Sequence, residues 1–119
     1  MSIEPDDTFY IAITNFVECQ NTQDLQGMLR LMHKESFAYP ATQQVFMKLF
    51  AAFELRITLL HQAFIAIEGE YAYARIKIQT EKLTGPDFRN NITEFLLVFR
   101  LIGNTWKIWC QNPLSFQLL

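Results

Sequence analysis

Apolar residues recur along the first fifty-odd positions at helical spacing, and the period then changes to two. Phe9, Ile13, Phe16 and Val17 fall on one face of a first helix, which Asp6 or Asp7 could cap. Leu25, Met28, Leu29 and Met32 make the stripe of a second helix; Asn21 is placed to cap it, with Asp24 three residues on resembling a capping box. Phe37 to Pro40 reads as a short extended segment, because a proline biases the residue before it away from helix. Thr42 is the expected cap of a third helix carrying Val45, Phe46, Leu49, Phe50 and Phe53 on one side.

From Leu55 the alternation is strand-like. Leu55, Ile57, Leu59, His61, Ala63, Ile65 and Ile67 form one row, and Arg56, Thr58, Leu60, Gln62, Phe64 and Ala66 the other. Gly69-Glu70 is a tight turn, so Glu68 should face Tyr71, Ile67 face Ala72, and Gln62 face Lys77. Gly85-Pro86-Asp87 marks a loop, and a third strand from about Ile92 to Ile102 turns at Gly103-Asn104 into a fourth. Its inner row is Phe95, Leu97, Phe99 and Leu101, continued by Trp106, Ile108 and Cys110; Leu96, Val98, Arg100, Lys107 and Trp109 lie outside. Helices followed by antiparallel strands predict an α+β fold, one domain over 1–119, with the helices on one sheet face.

Composition narrows function. Half of the 119 residues are hydrophobic and eleven are Phe, ample for one core without a metal or disulfide staple. Only 18% are charged, and the net charge is −2. There is no basic patch for phosphates and no Lys/Arg-rich helix face, so neither nucleic acid nor membrane is an expected partner. Cys19 and Cys110 lack metal spacing, and the acidic N-terminus is no signal peptide; free thiols and a cytoplasmic location are expected. No cofactor or metal is expected, and Asn91-Ile92-Thr93 reads as an accidental glycosylation sequon.

The order of elements and three motifs resemble the nuclear-transport-factor-2-like superfamily, also called ketosteroid-isomerase-like or SnoaL-like. The motifs are Asn21-Thr22-Gln23-Asp24-Leu25-Gln26-Gly27, Gly69-Glu70 followed by Ala72-Tyr73-Ala74-Arg75, and Gly103-Asn104-Thr105-Trp106-Lys107-Ile108. The resemblance spans nearly the whole chain. It implies a cone: a strongly bent sheet wrapped around the helices, a pocket against its concave face, and dimers through the convex face. It does not imply the family's isomerase chemistry. Where that chemistry has a Tyr and two Asp, this chain has Phe16, Tyr39 or Pro40, and Leu97.

Candidate chemistry is therefore sparse. His61 interrupts an apolar row, either as a core histidine with a hydrogen-bonding partner or, paired with Tyr39, as the base of a lyase, isomerase or cyclase acting on a small hydrophobic substrate. His33 reads as a solvated helix-end residue. Tyr10, Phe16, Tyr39, Phe50, His61, Phe95, Leu97, Trp106 and Cys110 are the expected pocket lining. With no inward carboxylate, the leading expectation is a non-catalytic dimeric module holding a small apolar ligand, or nothing, in its cone. The outer row, with Phe64, Tyr73, Arg75, Leu96, Val98, Arg100 and Trp109, is expected to form a homodimer interface.

Overall fold

The computed structural model describes residues 5–119, with side chains from residue 7 onward. Helices α1 (Pro5–Asn21), α2 (Leu25–Arg30) and α3 (Ala38–Ala52) precede strands β1 (Glu54–Glu68), β2 (Tyr71–Thr84), β3 (Asn91–Ile102) and β4 (Thr105–Leu118). The strands form one antiparallel sheet in the order β1-β2-β3-β4, so the expected α+β fold is observed. Of the two α1 cap candidates, the Asp6 side chain lies outside the described residues, and Asp7 sits inside the helix.

The predicted α1 stripe of Phe9, Ile13, Phe16 and Val17 is buried against Ala72, Ala74, Ile76, Leu97, Phe99 and Ile108 of the sheet. Phe9 is the hub: its ring centroid lies 5.0 Å from Phe99, 5.2 Å from Phe64 and 5.4 Å from Trp106. Burying each such side chain is worth roughly 1.5–3 kcal/mol, which sets the register of the central strands.

The Asn21-to-Gly27 motif has a physical explanation. Asn21 ends α1 rather than capping α2; its amide donates to the Ile57 carbonyl at 2.9 Å and accepts from the Ile57 N–H at 2.7 Å. It thereby satisfies the backbone of edge strand β1. Asp24 is the cap of α2, accepting from the Gly27 N–H at 2.9 Å. A Cβ at Gly27 would stand 2.4 Å from the Asp24 carboxylate and 2.8 Å from Cys19 Sγ, so only glycine fits the cap.

Helix α3 begins at Ala38, not after Thr42, and takes in Tyr39 and Pro40, which were expected to be extended. Proline is tolerated in a first turn, where its missing N–H has no helical partner to lose. Ser36 does the capping: its hydroxyl accepts from the Ala38 N–H at 3.0 Å and donates to the Trp109 carbonyl, tying the start of α3 to β4. His33 is likewise not solvated but 3% exposed. Its Nδ1 accepts from the Glu35 N–H at 3.1 Å, and its ring stands edge-on to Trp109 at 5.1 Å.

Both hairpin turns fall where expected, with Gly69 and Gly103 at φ +59° as the first turn residue. The uniform alternation of β1 is corrected by two bulges. Glu68↔Tyr71 and Ile67↔Ala72 hold, but the register slips between Phe64 and Ala66 and again between Leu59 and His61. Between the slips the faces are exchanged. Gln62 pairs with Ile76, not Lys77, and faces inward with Phe64; His61 pairs with Lys77 and faces out. A bulge inserts one residue, and one residue inverts every side chain beyond it. The same device between Val98 and Phe99 turns Cys110 outward, opposite Val98, and Gln111 inward, opposite Leu97.

Candidate functional site

The concave face, the end of α1 and the middle of α3 enclose a cavity of about 280 Å³. Phe46 and Leu49 come from α3, Ile57 and Ile78 from the sheet, and Phe88 from the loop after β2. A groove of about 240 Å³ adjoins it across Phe46 and Gln111 and runs under Phe37 and Val45. Larger hollows lie between α1 and β1 and along Asp7–Asn15 of α1, about 490 and 550 Å³, but they are less enclosed by the chain. The cone cavity is near the lower edge of the roughly 300–1,000 Å³ usual for small-molecule sites.

Its wall is apolar with neutral polar groups set into it: Gln20, Thr80, Asn91, Thr93 and Gln111. Thr93 Oγ1 donates to Asn91 Oδ1 at 3.1 Å, and Asn91 Nδ2 donates to the Arg89 carbonyl at 3.1 Å, which fixes both buried side chains. Among the described residues no hydrogen-bond partner engages the side-chain amides of Gln20 and Gln111. Among the described residues no Asp, Glu, His, Cys, Lys, Arg or Tyr lines the cavity. Nor does any group of three or more potential metal ligands occur among the described residues. Such a wall can orient a neutral ligand by hydrogen bonds.

The expected lining divides. Phe95 lines the cavity, and Phe50 packs beside it, its ring 5.5 Å from Phe46. Phe16 and Leu97 are buried in the core underneath. Trp106 belongs to the Phe9 cluster, and the Tyr10 hydroxyl accepts from the Phe64 N–H at 3.2 Å beside the β1 bulge. Tyr39 lies half-buried in the first turn of α3. His61 is exposed on the outer row, and Cys110, also outward, accepts from Asn112 Nδ2 at 3.4 Å. The sheet thus stands between His61 and the face that holds Tyr39 and the cavity. The other cysteine, Cys19, has its thiol pKa pushed up by burial and then by the Asp24 carboxylate, which favours the thiol over the thiolate.

Sequence reasoning missed all five polar groups of the wall, Gln20, Thr80, Asn91, Thr93 and Gln111. Thr93 and Asn91 continue the inner row of Phe95 and Leu97 at a spacing of two, which alternation could have revealed; Gln111 was hidden by the bulge at Trp109.

On the outer face Tyr73, Arg75, Leu96, Val98, Arg100 and Trp109 do share one side of the sheet. Phe64 does not, being stacked on Phe9 inside. The face covers much of its own apolar surface. Arg100 lies 4.7 Å over the Trp109 ring and 5.5 Å from that of Tyr71, and pairs with Glu70 at 3.3 Å, while Arg75 pairs with Glu94.

This topology, with a cavity between three helices and a curved four-stranded sheet, is that of the nuclear-transport-factor-2-like, cystatin-like cone fold. Two solved structures superpose with a TM-score of 0.79. One is a nuclear-transport-factor-2-like protein from Cytophaga hutchinsonii, at 11% identity, covering 95% of this chain and 99% of its own. The other, from Novosphingobium aromaticivorans and provisionally named an aromatic ring hydroxylase, has 14% identity and covers 99% and 96%. A protein with a cystatin-like fold from Caulobacter vibrioides follows at 0.76, with 9% identity and 92% and 89% covered. At these identities the likeness is one of fold. No curated protein matches in sequence. The family model described as the C-terminal domain of anti-sigma-I factor RsgI9 matches residues 12–119, and the chain belongs to that family.

Proposed function

We propose that this domain is a non-catalytic module that holds a small, neutral, largely apolar ligand in its cone and works as a homodimer. The observation that carries the ligand reading is the cavity wall, where side-chain amides and hydroxyls are set into hydrocarbon with no ionisable group among the described residues. A charged ligand would leave water without a counter-charge, which costs far more than a neutral one. The family name supports a binding role, since it describes part of a regulatory factor. The alternative, an enzyme using His61 with Tyr39, has weaker support because His61 lies on the outer row, opposite Lys77. Self-association belongs to the same reading. The outer face, with Tyr73, Leu96 and Val98 between ion pairs, is the surface the sequence suggests for it. A reducing, cytoplasmic setting accompanies it, with Cys19 and Cys110 as free thiols; cell fractionation checks that point.

The test is native mass spectrometry of the purified chain, followed by calorimetric titration with neutral and anionic amphiphiles of similar size. Neutral compounds are expected to bind, and Leu49→Trp, which fills the cavity from α3, is expected to abolish binding while the fold is kept. Equal binding by the Leu49→Trp protein, or preference for the anions, would overturn the ligand reading.

A further inference from the structure

Strand β4 lies at the edge of the sheet, and its two halves differ. The first half is covered by the chain between α2 and α3. The His33 N–H donates to the Ile108 carbonyl and the Ile108 N–H to the Leu31 carbonyl, each at 2.8 Å, while Lys107 Nζ donates to the Arg30 carbonyl at 2.7 Å. From Cys110 to Leu118 no described backbone segment pairs with the outer edge. This stretch also carries uncovered apolar side chains: Leu114 is 48%, Phe116 61% and Leu118 46% exposed. Water-facing edges are blunted by charge, proline or bulges; no residue after Lys107 is charged, and the one proline and the bulge, at Pro113 and Leu114, sit together in the middle of the free stretch.

The register of this half is unusual. Gln111 and Pro113 face inward, Cys110 and Asn112 outward; a bulge at Leu114 then exchanges the parity, so Phe116 and Leu118 face inward and Ser115 and Gln117 outward. Consider an antiparallel copy with Cys110 opposite Gln117, Gln111 opposite Phe116 and Asn112 opposite Ser115. Every opposing pair then lies on one face, as an antiparallel ladder requires. Without the bulge that register would set inward residues against outward ones. Pro113, which has no N–H to give, and Leu114 fall at the two-fold axis, between two short paired runs.

We propose that two copies of this chain associate through the free half of β4, extending the sheet across a two-fold axis at Pro113 and Leu114. This rests on the homodimer part of the reading above and places the contact at the β4 edge instead of the outer face. A second copy is the occupant that the composition favours. It brings no charge against an uncharged strand, sets Asn112 beside Ser115, and lays its own Gln111 and Pro113 on the same face as Phe116.

Cross-linking tests the register. In a Cys19→Ser background, Gln117→Cys is expected to form a disulfide-linked dimer through the native Cys110 on mild oxidation. Adding Cys110→Ser should remove the cross-link, because the two introduced cysteines are then far apart. Sedimentation tests the surface: Phe116→Lys is expected to weaken the dimer by on the order of tenfold or more, since it sets a charge in an apolar edge. A dimer that survives Phe116→Lys and gives no Cys110-dependent cross-link overturns the β4 proposal but keeps the homodimer, which Leu96→Lys on the outer face should then disrupt. An unmodified chain that sediments as a monomer at tens of micromolar overturns both. Should Phe116→Lys fail to fold, the cross-link still decides.

Discussion

His61 and Gln62 are sequence neighbours whose environments are the reverse of what plain alternation gives. His61 is exposed opposite Lys77, while the Gln62 Oε1 is buried with no partner among the described residues. An unpaired buried acceptor costs about 1–3 kcal/mol, and an apolar group of similar shape removes the cost. Gln62→Leu is therefore expected to stabilise the protein by about 1 kcal/mol, and His61→Ala to change stability by less than about 0.5 kcal/mol. Urea denaturation of the two variants checks both, and the opposite ranking would mean that the bulges of β1 are misplaced. Asn21 is the converse case, a polar side chain whose two bonds satisfy the Ile57 N–H and carbonyl on an edge strand. Asn21→Ala leaves both groups without that partner and should cost about 1–3 kcal/mol. Asn21→Asp, which keeps only the acceptor, should recover part of the loss in the same assay.

At the level of elements, the sequence was readable wherever packing alone decides. The α1 stripe, the inner rows of β2 and β3 and both glycine turns follow from periodicity, because each buries a continuous apolar row. It was unreadable at the bulges, since one inserted residue leaves no mark in composition yet exchanges the faces of His61, Phe64 and Cys110. The cavity suffered from the same gap. Phe95 was foreseeable in its row, whereas Gln111 reaches the wall only because the chain slips at Trp109. The start of α3 was misread for another reason: Pro40 sits in a first turn, and the cap comes from Ser36, bonded to both Ala38 and Trp109. Ser36→Ala should cost about 1–2 kcal/mol, and its effect should concentrate at α3 and β4. Amide chemical shifts of the variant check that; changes confined to residues next to Ser36 would count against the tie.

At the scale of the molecule, the helices are held very unequally. Helix α1 sends four side chains into the core, whereas α3, fifteen residues long, has none that is buried. Its inward residues Phe46, Leu49 and Phe50 stay half-exposed because the space beneath them is the cavity rather than packed side chain. Beyond the partial packing of Tyr39, Phe46 and Phe50 on the core, α3 is held at its ends: by Ser36 at the start, and by Gln23 Nε2 donating to the Phe53 carbonyl at 2.8 Å at the finish. Local opening costs least where few apolar groups are buried, so α3 should open without the rest of the fold. Hydrogen exchange is expected to be fastest, among the three helices, in the middle of α3, and slowest overall in β2 and β3 at the centre of the sheet. A neutral ligand filling the cone supplies the contacts that α3 lacks, so its binding should slow exchange in α3 far more than in α1. In the Leu49→Trp protein the indole takes the ligand's place, and α3 should be protected with no ligand present. Exchange in α3 as slow as in α1 in the unmodified, ligand-free protein would mean that the helix is held by something other than its two ends, and that the cavity beneath it is already filled.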